Sequence, residues 1–536
     1  ILTNPLFCTK IQINRMIANK KKEVLAVLTI TISVALLTVG GLWISGKRTA
    51  GFFTWGAIDA REQALELIRT RYVDRVSTDS LSQLSLDSLF LKLDPHSVYL
   101  DPNSLRIADE ELAGHFAGIG IEFSRIKDTV MVIQLIPNSP SEKAGLQIGD
   151  QLIAIDSISL TDPQLSIDSI RFLVRGPVGS YANMSVYRQG KPRHVSIMRA
   201  AIPTPAVAAS FLLDDTTGFI KLTRFSNKSY RETMIALEAL QKKGMRALVL
   251  DLRGNGGGCL HEAVELADEF LSEDRLIVYT EGAHQPKRTY SCKRPGLFET
   301  GQLTVLMDEF SASASEVLAG ALQDWCRAKI IGRRSFGKGL VQEQYALSNQ
   351  GAIRLTVARY YTPLGRCIQR PYTGDRKAYL HELLNHTQKP SSKSALSNRV
   401  YFNTCGDTLF AEGGIYPDLY IQIDTVNSSP TGRKILQNPE LIQLAWYLSR
   451  ANSALTDTTI RSSDWAKWIP LDKIKRLIID RLQLNEKDQQ SLTETDWSFI
   501  QRDLYAQIVR LKGGAMAYYR FLCEQDPFIR AAQRVN

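Results

Sequence analysis

Two side chains, Ser313 and Lys338, stand where a nucleophile and its base could be made. Ser313 lies in Phe310-Ser311-Ala312-Ser313-Ala314-Ser315-Glu316, between an apolar strand pattern and a helical one. Lys338 lies in Ser335-Phe336-Gly337-Lys338-Gly339, and Gln342 follows four residues later. A serine hydroxyl becomes a useful nucleophile when a base takes its proton. No histidine is near these segments in the sequence, so lysine is the candidate base, and the chemistry implied is peptide hydrolysis on a Ser-Lys dyad. Such a lysine must be neutral. At its reference pKa of roughly 10.4 it is almost wholly charged near pH 7, and lowering that by about three units costs roughly 4 kcal/mol, which burial in an apolar pocket can supply. Phe336 and Leu340 flank it, and Gly337 and Gly339 allow close backbone packing. Gln342 can hydrogen-bond the amine without adding charge, whereas an Asp or Glu there would favour the ammonium.

Each residue alone has a plainer reading. Ser313-Ala314-Ser315-Glu316 fits the S-x-x-E capping box that starts a helix, and Lys338 alone reads as a solvated surface charge. The cap and the nucleophile are compatible, because a helix start also has free amides that can stabilise an oxyanion. A second loop supports the functional reading: Asp251-Leu252-Arg253-Gly254-Asn255-Gly256-Gly257-Gly258 directly follows a strand pattern. Its glycines allow tight turns that aim N–H groups at a ligand. It is not a phosphate loop, since no Gly-Lys-Ser/Thr follows, and no nucleotide signature surrounds it. Of the histidines, only His261 lies close to this loop, and the order of residues resembles no familiar Ser-His-Asp triad. A β-lactamase-like S-x-x-K is excluded because its fourth position is Glu316.

The elements that must position these residues alternate. Strand patterns at 218–222, 247–252, 304–307 and 329–331 are interleaved with helical patterns at 230–242, 260–271 and 313–325, which predicts an α/β core with crossover helices. Strands at 340–346 and 352–360 follow. Residues 116–200 read as a compact unit of short strands, residues 50–115 as mainly helical with a turn-rich break at Leu93 to Pro102, and residues 426–536 as mostly helical. Residues 373–400 form a polar insert within a core spanning 201–425.

The chain has 536 residues and a formal net charge of +10. Residues 1–48 hold seven Lys/Arg and one acid, so most of the excess sits at one end and nucleic-acid binding is not indicated. Val24 to Ser45 is an uncharged apolar run preceded by Lys20, Lys21 and Lys22. It predicts a transmembrane anchor with residues 1–23 cytoplasmic and the remainder exported. A cleaved signal peptide is the competing reading. Met16 would make a conventional start, which would place residues 1–15 upstream of it. The seven cysteines show no CxxC spacing, so neither a metal site nor a disulfide framework is signalled, and Cys326 reads as a small core residue. No cofactor is called for.

Taken in order, further segments complete a pattern: Leu93-Asp94-Pro95-His96-Ser97, Gly118-Ile119-Gly120-Ile121, Ser139 to Asp150, Arg175-Gly176-Pro177-Val178-Gly179, Tyr360 to Arg366, and Gly414-Ile415-Tyr416-Pro417-Asp418. With the loops above, the chain resembles the carboxy-terminal processing peptidases (tail-specific proteases), serine peptidases with an embedded PDZ domain. The resemblance runs from about Leu93 to Asp418. It implies a crotonase/Clp-like α/β superhelix core with an inserted PDZ domain. It implies Ser313 as nucleophile, Lys338 as general base and Gln342 as the residue orienting it. The amides of Ala314 and a loop glycine, with Gly257 favoured, would form the oxyanion hole. Gly118, Ile119, Gly120 and Ile121 would form the PDZ carboxylate-binding loop, where a chain end adds as a strand. The expected substrates are exported proteins with exposed apolar C-termini, cleaved outside the cytoplasm by an enzyme held in the inner membrane through residues 24–45. Cys259 and Cys367 depart from the family's small residues. A catalytically silent PDZ adaptor and a crotonase-like acyl-CoA enzyme are the rival readings. The oligomeric state is left open.

Overall fold

In the computed structural model the parallel strands are buried on both faces, and what covers each face explains the order of the domains. The structure describes residues 59–535 except 78–79, 127, 273, 373–375, 384–398, 423–428 and 452–468. The apolar run 24–45, the segment before it and most of the polar insert 373–400 lie outside the described residues. Among the described residues no helix is long and apolar enough to cross a membrane. The unit from residue 64 onward holds both large sheets and the helices that cover them.

The central sheet has six strands in the order Val207–Leu212, Thr217–Leu222, Ala247–Asp251, Gln302–Met307, Lys329–Gly332, Leu419–Tyr420. The first pair is antiparallel and the rest are parallel. Every residue of Thr217–Leu222 and Ala247–Asp251 is buried, as parallel strands covered on both faces must be. The helices Ser229–Gln241, Leu260–Asp268 and Ala314–Asp324 supply the large core on one face, with Leu237, Leu240, Ala263, Leu266, Leu318 and Leu322. The other face is covered from the chain's far end. Phe211, Phe219, Val249, Leu306 and Ile331 pack with Cys523, Phe528, Ile529 and Ala532. The helical C-terminal region is thus the second cover of the sheet. It also has its own core around Ile474, Ile478, Trp497, Ile500 and Leu504.

An antiparallel sheet packs alongside: Val98–Leu100 and Leu340–Ala346 both pair with Ala352–Tyr361, which pairs with Leu276–Gly282, which pairs with Gln285–Ser291. The turn-rich break at Leu93 to Pro102 therefore contains a strand, with Val98 opposite Arg354. The β-rich unit is a six-stranded sheet between Ile121 and Met198 with the helix Ile167–Val174. Its ends are tied together by the pair His115–Gly118 and Ala200–Pro203. A disulfide joins Cys326, just past the helix Ala314–Asp324, to Cys405 in the turn between Val400–Phe402 and Thr408–Phe410. Cys326 is therefore a cross-link rather than a plain core residue. Its partner is 79 residues away, which sequence spacing could not pair.

Candidate active site

Ser313 is the N-cap of the helix Ala314–Asp324 and sits at φ 55°, ψ −114°. A non-glycine residue at positive φ is strained, and such strain concentrates at functional sites. Glu316 makes one half of the capping box, accepting the Ser313 N–H at 2.8 Å. The Glu316 N–H in turn reaches the Ser313 carbonyl at 2.8 Å, closing the first turn of the helix.

Glu316 also fixes the lysine loop. It is fully buried. Its Oε2 accepts the Lys338 N–H at 2.9 Å as well as that of Ser313. Its Oε1 accepts the Gly337 N–H at 2.7 Å and the Ser335 hydroxyl at 2.5 Å. One carboxylate therefore ties the backbone of the candidate nucleophile to that of the candidate base. Burial raises its pKa, while these four donors oppose the rise. Tyr360 adds a second tie, its hydroxyl lying 2.6 Å from the Lys338 carbonyl and 3.2 Å from that of Ser313.

The Lys338 amine donates to Gln342 Oε1 at 2.7 Å. Gln342 Nε2 donates in turn to the His96 carbonyl at 2.6 Å, which leaves its oxygen facing the lysine. The His96 carbonyl is held by its own turn, where buried Asp94 accepts the N–H groups of His96 and Ser97 at 2.9 and 3.0 Å. Ser97 Oγ accepts the Thr356 N–H at 3.0 Å, docking the turn on the long strand. The Lys338 pKa is lowered to about 8, first by burial and then by the Arg354 charge, against the pull of Asp94 and Glu316.

His96 is a contact that sequence reasoning missed. Its imidazole sits among Phe336 and Tyr379, with Nε2 3.1 Å from the Tyr379 hydroxyl. Burial, then the Lys338 charge, pushes its pKa down to about 4. Neutral and held by a tyrosine, it braces the lysine loop. His261, near the glycine loop in sequence, has an exposed side chain 3.9 Å from Glu265.

The glycine loop lies against Ser313. A Cβ on Gly257 would fall 2.5 Å from the Ala312 carbonyl oxygen and 2.8 Å from both Ala314 N and Ser313 Cβ. Only glycine fits, at φ 92°. Its N–H, however, donates to Asn255 Oδ1 at 2.9 Å. The absence of a side chain is what lets the loop approach Ser313 this closely. The N–H groups of Gly256, Gly258 and Ala314 have no acceptor among the described residues. Buried Asn255 pins the loop, its carbonyl accepting the Ala312 N–H at 3.0 Å and Ser315 Oγ at 2.9 Å. Below it, buried Asp251 pairs with Lys221 and Arg253, and Arg253 reaches Asp526 at 2.7 Å. Burial would raise the Asp251 pKa, but those two cations hold it near about 2.

Gly256, Gly257, Gly258, Ser313, Ala314, Lys338 and Gln342 all line one cavity of about 710 Å³. The structure thus brings the sequence-predicted site together, apart from the PDZ loop, which belongs to the β-rich unit. There Ile119 and Ile121 are buried, and Gly120 adopts φ 81°, where a Cβ would lie 2.4 Å from that of Ser139. The Ile119 carbonyl is held by the Ser141 N–H at 3.0 Å and the Ser141 hydroxyl at 2.7 Å. The N–H groups of Ile119 and Gly120 have no acceptor among the described residues. No group of metal-ligating side chains occurs among the described residues.

Residues 216–375 match the family profile of Peptidase family S41, and residues 117–198 match that of the PDZ domain. A carboxy-terminal-processing protease of Bartonella bacilliformis is 36% identical over 57% of this chain and 70% of its own length. A carboxyl-terminal-processing protease of Synechocystis sp. is 33% identical over 55% of this chain and 71% of its own. The carboxy-terminal processing protease CtpB of Bacillus subtilis is 32% identical over 59% of this chain and 66% of its own. With a peptidase core and an inserted PDZ domain in the family's order, the chain belongs to the carboxy-terminal processing proteases and is a serine peptidase.

Proposed function

We propose that this chain hydrolyses exported proteins near exposed apolar C-termini with Ser313 as nucleophile, Lys338 as general base and Gln342 as the residue that aims the base. One observation carries the reading: the amine bonds a neutral amide inside a partly buried site, with no carboxylate in ion-pair contact among the described residues. Neutral Lys338 takes the hydroxyl proton as Ser313 Oγ attacks the scissile carbonyl. The Ala314 amide, with that of Gly256 or Gly258, faces the developing oxyanion. The resulting Lys338 ammonium gives its proton to the leaving amine, and an acyl-serine remains. Water then loses a proton to neutral Lys338 and attacks the acyl carbon, and the Lys338 ammonium returns that proton to Ser313 Oγ as the acyl–oxygen bond breaks, restoring the hydroxyl and the neutral base.

The free amides of Ile119 and Gly120 suit a substrate's terminal carboxylate, with the tail adding as a strand to Ile121–Ile126. The Cys326–Cys405 bridge suits an oxidising compartment. With the basic flank of the apolar run 24–45, it supports an inner-membrane anchor and a periplasmic catalytic domain.

The purified protein should degrade an unfolded protein with an apolar tail, and Ser313→Ala should abolish the cleavage. Undiminished cleavage by that variant would refute the dyad. The same variant, used as a trap in cells with captured proteins identified by mass spectrometry, would define the natural substrates.

A further inference from the structure

We propose that the helical C-terminal region closes the peptide-accepting edge of the PDZ domain, so that a substrate tail must displace it in order to bind. The inference rests on the reading that tails add to this domain as a strand. The strand Ile121–Ile126 directly follows the Gly118–Ile121 loop and is the last strand of its sheet. Among the described residues it pairs on one side only, with Thr129–Leu135. An unpaired edge is where an incoming strand finds backbone donors and acceptors.

That edge is already engaged. Gln443, from the helix Glu440–Ala451, donates its Nε2 to the Arg125 carbonyl at 2.5 Å. This side-chain amide satisfies a strand carbonyl as the N–H of an added strand would. Arg510, from the long helix Glu494–Cys523, pairs with Glu122 at 2.8 Å. The two contacts hold positions three residues apart, so the grip extends along most of the strand.

The seam is poorly satisfied. Among the described residues, Gln443 Oε1 is buried with no hydrogen-bond partner, and so are Gln134 Oε1 on the adjoining strand and Trp446 Nε1 one turn along the helix. Buried polar atoms without partners cost free energy that opening to water, or to a peptide backbone, recovers. The sheet-covering contacts of this same region are apolar on both sides: Phe528, Ile529 and Ala532 pack with Phe211, Phe219, Val249, Leu306 and Ile331. The last helix thus covers the sheet through apolar contacts, whereas the Gln443–Arg510 seam holds its strand through polar ones that water or a peptide backbone can replace.

The test uses the full chain carrying Ser313→Ala, so that nothing is cut. A fluorescent peptide of about ten residues with an apolar end and a free carboxylate is titrated by anisotropy, beside the same peptide ending in an amide. Adding Gln443→Ala and Arg510→Ala should tighten binding of the free-acid peptide about tenfold, the sum of one hydrogen bond and one partly exposed ion pair. Arg510→Glu alone should also tighten it, and the swapped pair Glu122→Arg with Arg510→Glu should return towards the parent value. A generally misfolded variant could not show that reversal. Bound peptide should speed hydrogen exchange in Glu440–Ala451. Equal affinity in parent and opened variants would overturn the seam while leaving the tail reading standing. No binding of the free-acid peptide to any form would overturn both.

Discussion

Replacing Gln342 by glutamate tests the base directly, because it changes one charge and little shape. In the structure an amide oxygen stands 2.7 Å from the Lys338 amine. Gln342→Glu would put a carboxylate oxygen there. An opposite charge at this range favours the ammonium by about 1–3 pKa units. Taking roughly two units, the lysine moves from about 8 to about 10. The direction is fixed: the carboxylate stabilises the charged amine, so the neutral base appears only at higher pH. At about pH 7.5 the neutral fraction falls from about a quarter to about 0.3%, a loss of roughly 75-fold in kcat/KM. At about pH 10 half of the base is neutral again, so most of the loss is recovered there. The assay is kcat/KM for a short untailed fluorogenic peptide across that range, since this parameter reports groups of the free enzyme. The parent should show a rise with an inflection near about 8. Gln342→Ala is the control: it removes the aim without adding charge, so its loss should persist at high pH. A Gln342→Glu enzyme that kept the parent's inflection would refute the claim that Lys338 is the titrating base.

Gly257→Ala should abolish activity and expose the loop to proteolysis. Its Cβ would meet the Ala312 carbonyl oxygen at 2.5 Å and Ala314 N at 2.8 Å, backbone atoms that cannot swing aside; retained kcat/KM would show that the loop is looser than this. Glu316→Gln should lower kcat about a hundredfold with little change in KM, because a carboxamide offers its NH2 to donors now bonding Glu316. Peptide kinetics beside a circular dichroism melt would separate this from unfolding. Removing both Cys326 and Cys405 should cost about 2–4 kcal/mol, since the bridge closes a loop of 79 residues. Denaturant unfolding of oxidised parent against the double serine variant measures it, and equal midpoints would show that the bridge contributes nothing.

What the sequence revealed, and what it hid, divides by distance along the chain. The Ser313 helix start, the glycine loop after a strand and the lysine between glycines are local chemistry, visible in runs of eight residues or fewer. Parallel strands were legible for the same reason: burial on both faces demands the unbroken apolar runs seen at Leu248, Val249 and Leu250. The environment that gives those residues their chemistry is not local. Gln342 is aimed by a carbonyl 246 residues earlier, at His96, and that meeting needs Val98 to pair with Arg354. Leu93-Asp94-Pro95-His96-Ser97 could be read as a turn and as a family segment, but nothing in its composition says which strand it will dock on. Which glycine amide faces an oxyanion is hidden for a related reason. Three consecutive glycines are indistinguishable in sequence, and only the side chain of Asn255 decides which N–H is already bonded. The helical tail was legible as amphipathic but not as a cover, since both faces of a sheet ask for apolar partners and do not say from where. Here one end of the chain closes the sheet beneath the Asp251 loop and, through Arg253 and Asp526, is coupled to it by an ion pair. A loosened C-terminal helix would therefore reach Gly254 to Gly258 through two side chains, which makes the region beyond residue 426 part of what holds the site.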